Sequence, residues 1–317
     1  MSRVIDLILH PHDVRWRRRF TVFTIVSTVL LLAWGGVVTS IDAGLAVPDW
    51  PSSFDSYDPF APIPRWYAIP PVLAEHGHRL LGIWVGLCTV ILTVWTIAAD
   101  PRRWMRYLML GALALVIVQG VLGGMRVVWQ SPDLAVVHAC VAQLFFSSLA
   151  ALWLFTTPAW LQGEGRPAGE AGALLRRFIW LPGTALYVQI VLGALLRHAG
   201  GGVDPALAMI HMTGAFVVLG ILGMTVRWTL RSTPKGSLTH GSAGTLAVLL
   251  AVQLILGFSA YGVLLQESGL TRSALQVALN SAHLIVGAGL LASTVVLTLL
   301  AARTPLPEQH LKVDDRP

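Results

Sequence analysis

The sequence predicts an all-α integral membrane protein of eight transmembrane helices, built as two pseudo-symmetric four-helix bundles. Three observations carry that expectation: an apolar composition, eight apolar stretches of spanning length, and an internal repeat. Of 317 residues, 55% are hydrophobic and 12% charged, against roughly a quarter charged in soluble domains. The mean hydropathy is +0.68, too apolar for one large soluble core to be covered by the polar residues available. Disordered, collagen-like and disulfide-rich secreted classes are excluded by the same composition. The two cysteines, Cys88 and Cys140, both lie in apolar runs, so no disulfide framework or Cys-rich metal site can be built. The net charge of +6 does not point to nucleic acid, because the basic residues separate apolar segments instead of lining one face.

The elements follow in order, each span needing roughly 20 mostly apolar residues. Residues 1–20 form a basic N-terminal stretch. The first span, about 21–40, has no small-residue cleavage site after it, so it reads as an anchor and not a removable signal. The loop 41–77 contains AVPDWPSSFDSYDPFAPIPRWYAIPP, too rich in Pro, Asp and Trp to span and too organised to be a linker. Spans two to four are expected at about 78–99, 107–126 and 138–157, completing an N-terminal half over 21–157. A cytoplasmic linker at 158–177, with Gly, Pro and Glu, divides it from the C-terminal half at 178–302. That half holds spans at about 178–197, 211–230, 244–264 and 283–302, and a cytoplasmic tail at 303–317 follows. Seventeen of the 22 basic residues fall at the N-terminus, in the connections after even spans and in the tail; Arg65, Arg79, Arg126, Arg197 and Arg272 take the other face. Both termini are therefore expected in the cytoplasm, in a bacterial cell membrane.

Self-similarity is the most informative feature. Spans three, five and seven carry VQGVLGGMR (118–126), VQIVLGALLR (188–197) and VQLILGFSAYG (252–262). Each is followed by a histidine expected to open the next span: His138, His211 and His283. Span two opens likewise with His78, after a weaker LLLAWGGVVTS in span one. The halves are expected to be related by an axis along the membrane normal. Gly123, Gly124, Gly193 and Gly257 suit close helix approach, and Gln119, Gln189 and Gln253 suit interhelical hydrogen bonding more than catalysis.

A lone histidine near a helix end is usually a satisfied polar group, but four at equivalent places in four repeats are not. Neutral imidazole is a good ligand for haem iron, and facing helices can supply both axial positions. His78 with His138 would serve one half and His211 with His283 the other. No carboxylate or thiolate cluster repeats with them, which argues against copper or zinc. None has a second histidine fourteen positions on, where Leu92, Leu152, Thr225 and Leu297 stand, so a stacked pair of haems wiring electrons across the bilayer is disfavoured. The four units differ at one place. Only the first reads E-H-G-H-R, putting Glu75 one turn before His78 on the same face. Glu75 is thus the candidate catalytic carboxylate, either shuttling a proton or stabilising a developing cation, with an i,i+4 pair to Arg79 as the bland alternative. Arg79, Arg126 and Arg197 are candidate partners for haem propionates, or else interfacial anchors. His76 and His198, on the rim, are not expected as ligands.

Together, E-x-x-H-R at 75–79, GLAVPDWP at 44–51, LAVVHACVAQLFF at 134–146, IHMTGA at 210–215 and SAH at 281–283 resemble the haem A synthase family over nearly the whole chain. The resemblance implies an eight-helix membrane enzyme that oxidises the C8 methyl of haem O to the formyl group of haem A, for haem-copper oxidases. It implies haem O as substrate on His78 and His138, resident haem b on His211 and His283, and Glu75 as the catalytic carboxylate. Haem O synthase, oxidase assembly factors and membrane lipid are the partners it suggests. Some relatives carry a cysteine pair in the first outer loop; this loop has none, which removes any loop-disulfide role here. Two other classes share the ligand set: a b-type cytochrome in electron transfer, and a haem carrier or chaperone without chemistry.

Overall fold

A computed structural model describes residues 11–60, 62–163, 167–198, 204–266 and 272–303. Of the basic residues expected on the cytoplasmic face, Arg3, Arg166, Lys312 and Arg316 lie outside them. The helices are α1 (Pro11–Ser40), α2 (Pro70–Ala99), α3 (Arg103–Val128), α4 (Pro132–Leu154), α5 (Pro158–Gln162), α6 (Gly169–Arg177), α7 (Leu181–His198), α8 (Pro205–Ser232), α9 (Leu238–Leu264) and α10 (Ala274–Ala302), with a single 3-10 turn at Trp66–Ala68. Among the described residues there is no β-strand beyond one isolated bridge between Ser53 and Ser56.

Seven of these helices are long and apolar enough to cross a membrane, and α6 with α7, bent by 44°, makes an eighth if the pair is one span. The bend has a local cause. Pro182, the second residue of α7, has no N–H to donate to the carbonyl four residues back, so the α6 ladder does not run on into α7. The expected linker at 158–177 is itself largely helical, in α5 and α6.

Helix starts are set by caps. Ser131, Thr157, Asp204, Ser237 and Ser273 each accept hydrogen bonds from backbone N–H groups of the following turn, and Pro132, Pro158 and Pro205 take the first helical position, where no N–H is needed. These caps correct one expectation. The four histidines do not open their helices but lie six to nine residues inside them, about 9–13 Å from the helix end at 1.5 Å per residue. The apolar run starts at the histidine; the helix starts at the cap.

In the packing, α1, α2, α3 and α4 each touch the next and α4 returns to α1; α7, α8, α9 and α10 close in the same way. The first ring is filled by Val85, Leu92, Met109, Phe145 and Leu149, the second by Leu186, Leu222, Leu246, Leu290 and Leu297. The rings meet through their own first and last helices, α10 against α1 and α4, and α4 against α7. There Phe146 packs on Ala288 and Ala292, small residues that let helices approach where lipid supplies no hydrophobic drive.

At the end of the bundle away from the histidines, Asp100 is fully buried between Arg17 and Arg102, with ion pairs of 2.9 and 2.7 Å. Arg102 also donates to the Phe155 carbonyl at 2.9 Å. Burial pushes the Asp100 carboxyl upward, but the hydrogen bonds and charge of Arg102, with the charge of Arg17, outweigh it and hold the group below its ordinary range. One aspartate thereby fastens α1, the α2–α3 turn and the end of α4.

Candidate functional site

The repeat resolves into a specific contact: each of the four imidazoles lies over a glycine of the preceding long helix. A Cβ added at Gly35 would come 2.9 Å from Cε1 of His78, at Gly123 3.2 Å from that of His138, at Gly193 3.0 Å from that of His211, and at Gly257 3.0 Å from that of His283. Glycine suits these places because a side chain there would press on the ring, hardest at Gly35. Three of the four glycines picked out by the motif do this. Gly124 instead receives the indole of Trp50 from the long loop. The glutamines one turn earlier do bridge helices: Gln119 Nε2 donates to the His138 carbonyl at 3.0 Å and Gln189 Nε2 to the His211 carbonyl at 2.7 Å. Gln253 Nε2 lies 3.1 Å from Nε2 of His283.

In the second half the His211 and His283 rings lie edge-on to one another, with centroids 6.5 Å apart at 72°. In the first half His78 and His138 lie within electrostatic reach of each other, and Arg126 within reach of both and of Glu75. Nδ1 of His78, His138 and His283 is buried without a hydrogen-bond partner, an arrangement costly in a finished protein interior and suited to neutral imidazoles that await a ligand. Among the described residues no three His, Cys, Asp or Glu side chains cluster as a metal site. Paired imidazoles without supporting carboxylates fit haem iron, whose remaining ligands come from the porphyrin.

Glu75 is buried, and both its oxygens are engaged. Oε1 meets Arg79 at 2.9 Å and Oε2 accepts from the Val47 N–H at 2.9 Å. The i,i+4 pair is thus present. Arg79 also donates to the carbonyls of Asp49, Ser52 and Val47 at 2.8, 3.0 and 3.2 Å and to Ser53 Oγ at 3.2 Å, so its guanidinium organises the loop. His76 does the same from the neighbouring turn, with Nδ1 3.2 Å from Ser53 Oγ and Nε2 2.8 Å from the Pro59 carbonyl. Asp49 folds the loop on itself, accepting from Ser52 Oγ and from the N–H of Phe54 and Asp55. Burial raises its pKa, but these hydrogen bonds win and hold it below the ordinary 3.8. Arg126 donates to the Gly44 carbonyl at 3.0 Å. Arg197, within electrostatic reach of His283, donates to the Gly36 carbonyl and Ser40 Oγ at 2.8 and 2.6 Å.

Glu75, Arg79, Arg126, His78 and His138 are therefore gathered in the first ring, and His211, His283 and Arg197 in the second. Sequence reasoning missed Trp50, the Val47 N–H and the Gly35–Gly36 pair. The last carried a signal, since AWGG occupies the place in span one that the L-G motif occupies in the others. Both cysteines are free and buried.

Comparison with known proteins is informative at this point. The family described as COX15-CtaA, cytochrome oxidase assembly protein, matches residues 69–205, a stretch that holds Glu75, His78 and His138. The chain is 31% identical over 257 residues to a haem A synthase of Symbiobacterium thermophilum, covering 71% of this chain and 80% of the relative. A haem A synthase of Exiguobacterium sibiricum is 28% identical over 187 residues, 57% of this chain and 59% of its own length. One from Staphylococcus aureus is 23% identical over 261 residues, 74% of this chain and 82% of its own.

Proposed function

Since this chain belongs to the haem A synthase family of oxidoreductases, we propose that it oxidises the C8 methyl group of haem O to a formyl group by successive hydroxylations, supplying haem A to haem-copper oxidases. The observation that carries the reading is the gathering of two histidine pairs over glycine seats, with a buried carboxylate, Glu75, at one pair alone among the described residues. In this reading His78 and His138 hold haem O, and His211 and His283 hold a resident haem b. When bound, haem b supplies one-electron redox chemistry. The residues of the chain do the rest. Arg126 and Arg197 offer guanidinium to propionates, which orients each porphyrin edge. Glu75, fixed by Arg79 and the Val47 N–H, presents negative charge that suits stabilisation of cationic character at the methyl carbon better than removal of a proton. The long loop, pinned by Arg79 and His76 with Trp50 against α3, shields that end of the first ring from water.

The distribution of basic residues supports a cytoplasmic position for both termini, with both pockets towards the outer face. The farnesyl tail of haem O suits access from lipid between helices, and haem O synthase and oxidase assembly factors are the partners this reaction requires on either side. The experiment is haem extraction and chromatography with mass detection, on membranes that make haem O with and without the protein. Haem A, or its hydroxymethyl precursor, formed only with the protein establishes the synthase. Unchanged haem O with haem still bound to the purified protein would leave a cytochrome or a carrier.

A further inference from the structure

Three consecutive residues of α1 touch three different parts of the two pockets. Trp34 Nε1 donates to the Ala74 carbonyl at 2.8 Å, next to Glu75. Gly35 seats the His78 ring, and Gly36 faces Ser281, two residues before His283; a Cβ there would lie 2.9 Å from Ser281 Oγ. The Gly36 carbonyl is the acceptor for Arg197 from α7, at 2.8 Å, and also for Ser40 Oγ at 2.8 Å, while Ser40 Oγ accepts from the same Arg197 nitrogen at 2.6 Å. The Arg197 Nε is buried and has no acceptor. A guanidinium is a rigid plane in which Nε and Nη2 share one edge, so whatever engages Nε fixes the Nη2 that holds α1.

We propose that Arg197 is a positioning residue that couples the two haem pockets, with its Nε taking a carboxylate of the haem held by His211 and His283 while its Nη2 holds the Trp34–Gly36 segment that seats His78. The inference rests on the assignment of haems given above. Occupation of the second pocket then sets the ligand geometry of the first, so that substrate haem is held firmly only when the resident haem is in place. Both engagements are ones a guanidinium supplies: a propionate at Nε, a peptide carbonyl and a serine at Nη2.

The test uses purified full-length protein loaded with haem b and haem O. The low-spin electron paramagnetic resonance signals of the two haems are first assigned with His78→Ala and His283→Ala variants, and transfer of each haem to apomyoglobin is then followed. Arg197→Gln should release haem O about tenfold faster, the effect of losing a charge-assisted hydrogen bond, and should shift the signal of the first-pocket haem, which Arg197 does not touch. Arg197→Lys should restore part of the retention. Ser40→Ala, a milder change that leaves the haem pockets intact, should speed haem O release about threefold, as expected for one neutral hydrogen bond. Change confined to the His211–His283 haem in Arg197→Gln, with Ser40→Ala silent, would reduce Arg197 to a local propionate partner and overturn the coupling. If neither histidine variant removes a haem signal, the assignment of haems itself fails, and the two failures are told apart.

Discussion

Gly193 and Gly220 show at the scale of single residues how the pocket can be tested. A methyl at Gly193 would meet the His211 ring at 3.0 Å, whereas nothing lies within 4 Å of one at Gly220. Gly193→Ala is therefore expected to lower haem content at the second pocket, read from the ratio of haem to protein, while Gly220→Ala leaves it unchanged and gains up to about 1 kcal/mol from helix propensity. Glu75→Ala should abolish haem A formation and keep the second-pocket haem, whereas His211→Ala or His283→Ala should remove that haem. Loss of the b-type spectrum in Glu75→Ala would sink the division of labour between the pockets. The candidate histidines were legible in the sequence because ionisable groups are rare in apolar spans, and the repeat gave their register. The seats were half legible. Gly123 and Gly193 stood out as small residues, but that an imidazole fills the space beside them depends on helix rotation, which spacing alone does not define. Glu75 was legible as unusual; its Val47 partner was not, because a backbone donor leaves no mark in a sequence.

Among the elements, helix starts were readable one residue at a time from Ser, Thr or Asp followed by Pro, yet hydropathy placed them late, at the first apolar residue. The long loop was recognisable as ordered from its Pro, Trp and Asp content. Its fold was not, because it depends on Arg79 and His76 from α2 reaching back over it. Asp49 provides a pH test. Its folded pKa lies below the ordinary 3.8, so its stabilisation of the loop is complete above that value and is lost as pH falls through the lower folded value. Hydrogen exchange at Phe54 and Asp55 should rise in that acid window in the wild type. Asp49→Asn should show raised exchange already at neutral pH; equal protection in both proteins would rule the aspartate out as the loop's organiser.

For the molecule as a whole, the helical membrane class was legible from the apolar lengths, with seven spans among the described residues, or eight if α6 and α7 are one, but which helices would form the seam was not. The sequence contains no marker for pairing between segments hundreds of residues apart. The Arg17–Asp100–Arg102 cluster was missed for the same reason: two of its members read as ordinary positive-inside charges. Asp100→Asn keeps the shape and removes the anion, leaving two buried guanidiniums that repel. A loss of about 3–5 kcal/mol is expected, as for breaking a buried ion pair, measured by thermal unfolding in detergent; a change under 1 kcal/mol would mean that water already solvates the cluster. The contact of α10 with α1 has a further consequence, in time instead of space. The earliest of the described helices to leave the ribosome packs on the last of them, so at about 5–20 residues per second α1 waits roughly 10–50 s for that neighbour. Throughout that interval its Gly36 face, which Ser281 covers in the finished fold, lies open to lipid or to an insertion chaperone, and a nascent chain stopped before α10 can be recognised as unfinished by that bare face alone.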